Sequence, residues 1–296
     1  MVVAAAAVGH TGAVQTFLPY PDFTRSAQVL DRRRLGKQRV EALQVLRAAT
    51  VPGYGWFRHP ATAMWERHVP ALVAYGRAMV DEWTAHGGAD STGWQIREFA
   101  PEAWDRPDDD GVAARPPWLG DEALHRSHRS NLLRKDERFY RPLFPGDPAG
   151  LDYVWPVGTQ SRDRPAEPEH GRRAWVLAPG VSVPAGDAVL IPFRVPEGIR
   201  ESHWGHALER VEHELREGEP VLLLHGAAGP EQVVERAVLA ENVHHAVAGF
   251  SLELERTDRV LRRELSRPAR LQAPRPLFAV PAEEVGVAAR RRPVSM

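Results

Sequence analysis

The stretch RRRLGKQRVEALQVL, Arg32–Leu46, carries the clearest structural signal in the chain. Apolar residues recur through it at roughly helical spacing. The pattern predicts a short helix, a turn near Asp31, and a longer helix from about Arg34 to Ala49, with Gly36 as a point where the helix could break. Because residues three or four apart share one side of a helix, one face should carry Arg34, Lys37, Gln38 and Glu41.

Glu41 is the one carboxylate on this cationic face, one helical turn from Lys37. One interpretation is an ordinary surface ion pair of little energetic consequence. The other is a site where cations bind a phosphodiester while the carboxylate stabilises positive charge or moves a proton at a sugar carbon. A carboxylate among so many cations is expected to have a lowered pKa and to stay ionised.

A second motif, HRSHRSNLLRKD, His125–Asp136, lies in a predicted helix over 121–140 and is followed by Phe139 and Tyr140. Arginine and serine can hold phosphate oxygens, and an aromatic ring can stack on an exposed base. A solvated amphipathic helix explains the same pattern. The paired histidines lack a third ligand at a fitting interval, so no metal is predicted.

Charge and composition set further bounds on the 296-residue chain. The net charge is −1, but two basic segments, 32–39 and 126–141, flank an acidic stretch over 105–122. If the two basic segments line one groove for nucleic acid, we expect four of their side chains to lie on one surface: Arg34, Lys37, Arg129 and Arg134. There are no cysteines, so thiolate chemistry is excluded, and no apolar run is long enough for a membrane span. We expect a cytoplasmic protein with no membrane or metal partner.

Composition divides the chain into five segments. We expect residues 1–13 to be a disordered extension or to precede the true start of the protein. A helical domain is expected over 14–158 and a small α/β domain over 173–266, joined by a linker over 159–172. We expect a disordered tail over 267–296. The expected fold class is therefore a mainly α N-terminal domain followed by a small α/β domain.

In the second half, strand-like runs alternate with helical patterns around 204–216 and 230–243. The string HGAAG, His225–Gly229, lies between a predicted strand and a predicted helix. It is interpreted as a plain strand-to-helix turn, with a weak anion site as the alternative.

The strings LGKQRVEAL, Leu35–Leu43, and GYGWFRHPATAMW, Gly53–Trp65, resemble the pyrimidine-dimer DNA glycosylase family, which is endonuclease V-like. Similarity to uncharacterised bacterial and phage relatives covers about residues 15–156. The resemblance implies a compact helical domain that kinks duplex DNA, flips out a damaged nucleotide and cleaves the glycosidic bond without a cofactor or metal. In such enzymes an N-terminal amine forms an imine with the sugar, a glutamate supports that step, and β-elimination nicks the strand.

Carried onto this chain, the resemblance assigns catalytic roles to Glu41, Lys37 and Thr16. The attacking amine is left open between Lys37 and the first residue of a chain starting at Val14, since GTG encodes valine and can also initiate translation. Predicted DNA contacts are Arg34, Arg39, His59, Arg126, His128, Arg129, Arg134, Lys135, Tyr140 and Arg141.

Three functions remain open at this stage. The first is a DNA repair enzyme, a DNA glycosylase and AP lyase acting on pyrimidine dimers or other damaged bases. The second is a non-catalytic nucleic-acid-binding or regulatory protein, and the third is an enzyme acting on free nucleotides or modified bases. An imine-forming enzyme would be trapped on abasic DNA by borohydride, whereas a binding protein would not.

Overall fold

The computed structural model describes residues 14–156, 165–186 and 188–286, and the chain divides into two compact units. Unit 1 extends to Pro165 and unit 2 begins at Ala166. In the described part of unit 1 the regular elements are helices: α1 Phe23–Gln28, α2 Arg32–Thr50, α3 Pro60–Trp65, α4 Val69–Ala85, α5 Gly93–Arg97, α6 Pro101–Asp105, α7 Glu122–Lys135 and α8 Glu137–Tyr140.

Helix α2 organises unit 1. The carboxylate of Asp31 caps it by accepting hydrogen bonds from the backbone N–H groups of Arg33 and Arg34, at 3.0 and 3.1 Å. The predicted long helix is confirmed, and it runs unbroken through Gly36. A side chain there would collide with the ring of Trp83 on α4, so this glycine permits close helix packing.

The core of unit 1 encloses the segment 14–18 as well as the apolar faces of α2, α4 and α7. Each residue of this segment is at most 7% exposed. Burying an irregular segment requires partners for its backbone groups, and those partners are side chains from the surrounding helices.

Unit 2 is built on a sheet of eight strands with the order β2-β3-β7-β5-β4-β1-β8, and β6 pairs with β7. The strands are β1 Arg173–Leu177, β2 Val183–Ala185, β3 Ala188–Pro192, β4 Pro220–His225, β5 Val233–Leu239, β6 His244–Ala246, β7 Gly249–Leu261 and β8 Leu277–Pro281. Among the described pairings, β1 with β4 is parallel and the others are antiparallel.

Two apolar clusters flank this sheet. Helix α9, Glu201–His213, packs Trp204, Ala207 and Val211 into one cluster, and short 3-10 helices over 262–285 contribute to the other. Among the described helices of both units, none is long and apolar enough to cross a membrane.

The fold class expected from the sequence is wrong. Helix accounts for 38% and strand for 18% of the chain, and the large mixed sheet means that the protein is not mainly α. The error is clearest at 230–243, where strand β5 replaces a predicted helix. In β5, the sequence VVERAVL has apolar residues on both sides of Glu235 and Arg236. They do not alternate strictly, because β5 is paired on both sides, and their spacing also fits a helix.

Two smaller expectations for unit 2 also fail. His225–Gly229 follows β4 on the way to the antiparallel strand β5, so it opens a strand-to-strand connection. Within the predicted disordered tail, residues 277–281 form β8, which pairs with β1 and contributes buried apolar residues. The expectations for 1–13, 159–164 and 287–296 fall outside the described residues.

Candidate active site

Glu41 is buried at the middle of α2, only 4% exposed. Its Oε1 lies 2.9 Å from the Nζ of Lys37, and its Oε2 accepts a hydrogen bond from the side-chain amide of Gln38. Burial raises the pKa of Glu41, although the charges of Lys37 and Lys135 act in the opposite direction. The expected lowered pKa is therefore wrong, because this part of the helix face is covered by protein rather than by water.

The covering element is the segment 14–18, and Gln38 attaches it to α2. The amide of Gln38 donates to the carbonyl of Gln15 at 2.9 Å, and its Oε1 accepts from the backbone N–H of Phe17 at 2.8 Å. The hydroxyl of Tyr75 also donates to this Oε1. One glutamine thus joins Glu41 to the start of the described chain.

Thr16, a predicted catalytic residue, lies in this covering segment and is 0% exposed. Its hydroxyl accepts a hydrogen bond from the indole of Trp65 at 2.8 Å, and its backbone N–H donates to the side chain of Gln15 at 2.8 Å. Both polar groups are engaged inside the protein, so Thr16 helps to hold the segment beside Glu41.

Four cations gather above Glu41, and we call them the basic cluster: Arg34, Lys37, Arg134 and Lys135. Burial lowers the pKa of Lys135, and the positive charges of Arg34, Arg134 and Lys37 lower it further. A guanidinium nitrogen of Arg34 also donates to the carbonyl of Lys135 at 2.9 Å. The structure therefore brings together the ends of the two basic segments, one on α2 and one on α7.

The basic cluster remains accessible to a ligand. The Lys37 side chain is 63% exposed, and Arg134 and Lys135 are also exposed. Arg34 is more enclosed because its guanidinium binds Asp31 at 2.6 Å. A phosphate could approach the three outer cations without displacing the fold.

Four other predicted DNA contacts are buried and already bound within unit 1. Arg39 pairs with Asp90 and lies over the ring of Trp83, 4.5 Å from its centroid. Arg129 binds Asp147 at 2.6 Å and the carbonyl of Pro19 at 3.0 Å, and also pairs with Glu122. The guanidinium of Arg129 is therefore engaged by these groups and does not join the basic cluster, contrary to the expected convergence.

His128 and Tyr140 complete this buried group, and both are 0% exposed. Nδ1 of His128 accepts a hydrogen bond from the backbone N–H of Leu18 at 3.1 Å, and burial lowers its pKa to about 3, so the ring is neutral. The hydroxyl of Tyr140 donates to Asp31, the residue that caps α2. These side chains position the site rather than face a ligand.

The last three predicted contacts lie nearer the surface. His59 caps α3, since its Nδ1 accepts from the backbone N–H of Ala61 at 3.2 Å. Arg126 is half-exposed and lies 3.4 Å from Asp147, while Arg141 binds the side chain of Glu137 at 2.7 Å. None of the three is joined to the basic cluster by a contact among the described residues.

Four aromatic rings form a row that starts near Glu41, and we call it the aromatic row: Tyr153, Trp155, His59 and Trp56. Of these four, the sequence predicted only His59 as a DNA contact. Successive ring centroids are 5.6, 6.2 and 5.7 Å apart. Burial raises the pKa of Tyr153, and the charges of Arg134 and Glu41 also act on it, so the row begins at the candidate site. Its members come from distant motifs, GYGWFRHP and YVWP, whose proximity no local pattern could reveal.

Trp56 ends the aromatic row in an unusual conformation. Its φ of 66° makes it the one non-glycine residue with a positive φ in the described ranges, and it is 42% exposed. A left-handed conformation is costly for a bulky side chain and is often found where function requires it.

Within the described residues, no group of three or more His, Asp or Glu side chains is arranged to hold a metal ion. The arrangement offers instead a buried carboxylate, two nearby amines, accessible cations and aromatic faces. These groups can bind a polyanion, move protons and supply a nitrogen nucleophile.

Comparison with known families agrees with the resemblance noted in the sequence. The family model for pyrimidine dimer DNA glycosylase matches residues 14–96, which include Thr16, Lys37 and Glu41. The match supports a DNA repair glycosylase in general. No curated protein and no solved structure shows significant similarity to the chain.

Proposed function

We propose that the protein is a DNA repair glycosylase and AP lyase that removes damaged bases, such as pyrimidine dimers, from duplex DNA. The observation that carries this proposal is the buried Glu41 carboxylate directly beneath an accessible basic cluster. A structural ion pair would not need three further cations around it, whereas a site for a phosphodiester backbone would.

In this proposal the outer cations Arg134 and Lys135 bind phosphates around the lesion. The target nucleotide leaves the base stack and its sugar comes to lie over Glu41. The aromatic row supplies ring faces beside that position, on which an extruded base can stack. Its exposed member, Trp56, is the residue best able to touch DNA.

Glu41 and Lys37 carry the chemistry. Since burial raises the pKa of Glu41, its carboxylate is a better proton acceptor than an exposed glutamate, and Lys37 lies 2.9 Å away as the donor. The freed amine attacks the anomeric carbon, and the glycosidic bond breaks as the base leaves with a proton. Sugar ring opening gives an imine, loss of a C2′ proton follows, and the C3′–O bond breaks to release the strand end.

Other amines could take the same role. Lys135 is favoured by its lowered pKa, since more of it is unprotonated at neutral pH. In a chain that starts at Val14, the α-amine is favoured by the proximity of the segment 14–18 to Glu41 through Gln38. The proposal requires only that one of these amines reaches the sugar.

Borohydride trapping on an abasic duplex tests the proposal. We expect a covalent protein–DNA adduct, and peptide mapping of the reduced adduct by mass spectrometry identifies the amine. Lys37→Gln and Lys135→Gln should each be compared with Arg33→Gln, which removes an exposed cation near the cap of α2 without touching Glu41. Binding of the duplex without any adduct would instead support the non-catalytic function, for which the Lys37–Glu41 contact is an ordinary ion pair.

A further inference from the structure

Gln38 is 0% exposed in unit 1, and its side chain makes four hydrogen bonds, one of which reaches Glu41. A glutamine has two N–H donors and an oxygen with two lone pairs, so these partners use its full capacity. Turning the amide over would break all of these bonds in a buried place, where unpaired polar groups are costly. The side chain of Gln38 therefore has one orientation.

Two backbone groups decide which way this amide faces. The N–H of Phe17 can only donate, so it must meet Oε1, and the carbonyl of Gln15 can only accept, so it must meet Nε2. The second N–H of Nε2 is then left for Glu41, whose Oε2 accepts it. The position of segment 14–18 thus fixes a donor against the Glu41 carboxylate.

The two oxygens of Glu41 consequently have different surroundings. Oε2 is bound by a buried neutral amide, whereas Oε1 lies 2.9 Å from Nζ of Lys37, whose side chain is 63% exposed. A glutamate side chain is flexible, and a hydrogen bond from a fixed donor restricts its rotamers. One oxygen is held in place while the other lies beside the accessible amine.

We propose that Gln38 is a positioning residue for the reaction of unit 1: it holds Oε2 of Glu41 so that Oε1 is the oxygen presented to the reacting amine. This inference rests on the proposed function. Gln38 acts through Glu41 and does not touch DNA, since it has no exposed surface.

The hydrogen bond from Gln38 also favours the ionised form of Glu41. Burial raises the pKa of Glu41, and the contacts from Lys37 and Gln38 act in the opposite direction. The other charged and titratable groups around it are the rest of the basic cluster, Tyr75 on α4 and Tyr153. Substitution of Gln38 leaves all of them in place, so loss of its N–H donor should raise the pKa of Glu41 further.

The pH profile of single-turnover cleavage of an abasic duplex tests the inference. Gln38→Met keeps an unbranched side chain of similar length and removes both N–H donors. The acid limb of the profile, where Glu41 becomes ionised, should move to higher pH, and the rate on that limb should fall by about fivefold or more. Affinity for the duplex should change by less than about twofold, because Gln38 touches no ligand. Loss of packing alone would lower the rate equally at every pH.

Ser26→Ala is the matched control. Like Gln38, Ser26 is 0% exposed and binds both an N–H and a carbonyl of an irregular stretch, in this case those of Tyr20. Neither bond involves Glu41. The substitution should therefore lower the free energy of unfolding and leave the midpoint of the acid limb unchanged.

A measurement on the wild-type chain makes the test independent of the folding of Gln38→Met. Segment 14–18 keeps its hydrogen bonds to Trp65 and His128 in this variant, so unit 1 should still fold. In NMR spectra of nitrogen-labelled wild-type protein, the side-chain amide of Gln38 should shift as pH crosses the midpoint of the acid limb. Glu41→Gln should abolish that shift.

The outcomes separate this inference from the proposed function. An acid limb that stays in place in Gln38→Met, or a Gln38 amide signal that does not respond to pH, would contradict the inference while wild-type cleavage still supports the proposed function. An equal midpoint shift in Ser26→Ala would assign the effect to general loosening of unit 1 and overturn the inference. A wild-type protein that neither cleaves the duplex nor forms a borohydride adduct would remove the proposed function and this inference with it.

Discussion

Glu41 and Glu235 are the same residue type, are both 4% exposed, and lie beside cations, yet burial decides the pKa of one and hydrogen bonding decides the pKa of the other. Glu41 has one lysine and one neutral amide as partners, so burial dominates and its pKa rises. Glu235 has a histidine and two arginines, which outweigh burial. Deep enclosure with few charged donors thus gives a group suited to proton transfer, whereas shallower enclosure with more donors gives one suited to holding other side chains in place.

The largest expected effect is on cleavage. Glu41→Gln keeps the shape of the side chain and removes its charge, so we expect cleavage of abasic or dimer-containing duplex to fall by about 100-fold or more. DNA affinity should be equal or slightly higher, because a negative charge near the phosphates is lost. Glu102→Gln, which alters a 78% exposed carboxylate on α6, is the matched control.

Gel assays of strand cleavage and fluorescence anisotropy of binding measure these two quantities separately. A Glu41→Gln protein that cleaves as fast as the wild type would remove this residue from the mechanism. A comparable loss in Glu102→Gln would point to a general effect of charge on DNA approach.

Arg129 and Lys135, both on α7, should respond in opposite ways to loss of charge. Arg129→Gln leaves the partly buried Asp147 with only the longer contact to Arg126, so unit 1 should lose about 2 kcal/mol of unfolding free energy. Lys135→Gln should cost little stability but reduce the slope of log affinity against log salt by about one. Urea unfolding measures the stability effect, and the salt dependence of DNA binding measures the lost phosphate contact. Equal salt slopes for the wild type and Lys135→Gln would mean that Lys135 contacts no phosphate.

The two glutamates predict opposite pH dependences of stability. The raised pKa of Glu41 means that its contribution to the free energy of unfolding is present below its ordinary pKa of 4.5. That contribution is lost as pH rises through the higher pKa of the folded state. The glutamine of Glu41→Gln does not titrate, so this variant should become more stable relative to the wild type as pH rises from acidic to neutral. For Glu235 the pKa is lowered, so its contribution is present above 4.5 and is lost as pH falls through the folded value.

Glu235→Gln should therefore be most destabilised near neutral pH, by about 2 kcal/mol, with a deficit that shrinks in acid. Urea unfolding of each variant across the acidic to neutral range provides the measurement. Parallel pH profiles for the two substitutions would contradict the contrast between the sites.

The smallest expected effect concerns Trp56. Trp56→Gly removes the cost of its positive φ, so unit 1 should be unchanged or more stable by up to about 1 kcal/mol. If the exposed ring stacks on DNA, the same variant should bind damaged duplex several-fold more weakly. Phe139→Ala, which removes another exposed ring, at 44%, is the control. Unaltered affinity in Trp56→Gly would exclude its ring from the interface.

Local patterns in the sequence were sufficient for the helical part of the candidate site. Helical spacing and the turn near Asp31 predicted α2 to within two residues of its observed start, and helix geometry placed Lys37 beside Glu41. The family resemblance rested on the same residues and agrees with the matched range 14–96. These features depend on neighbours within one or two helical turns, so a linear pattern contains them.

Long-range packing decided the burial of Glu41 and the charged groups around it, on which its proposed chemistry depends. The pKa of Glu41 rises because the fold buries its carboxylate, and Gln38 links that carboxylate to segment 14–18. Lys135 joins the site because α7 lies against that segment. The fold class of the chain was mistaken for a related reason, since a strand buried between two others, such as β5, has no local signature that separates it from a buried helix.

The same distinction applies to unit 2. The sequence contains Leu177, Leu223, Glu235 and Arg259, but only strand pairing aligns them into one row, because register across four strands depends on contacts between residues far apart in the chain. Helical spacing is set by the backbone at each residue, whereas burial and strand register are set by the whole fold; for this reason the residue types could be identified in advance and their environments could not.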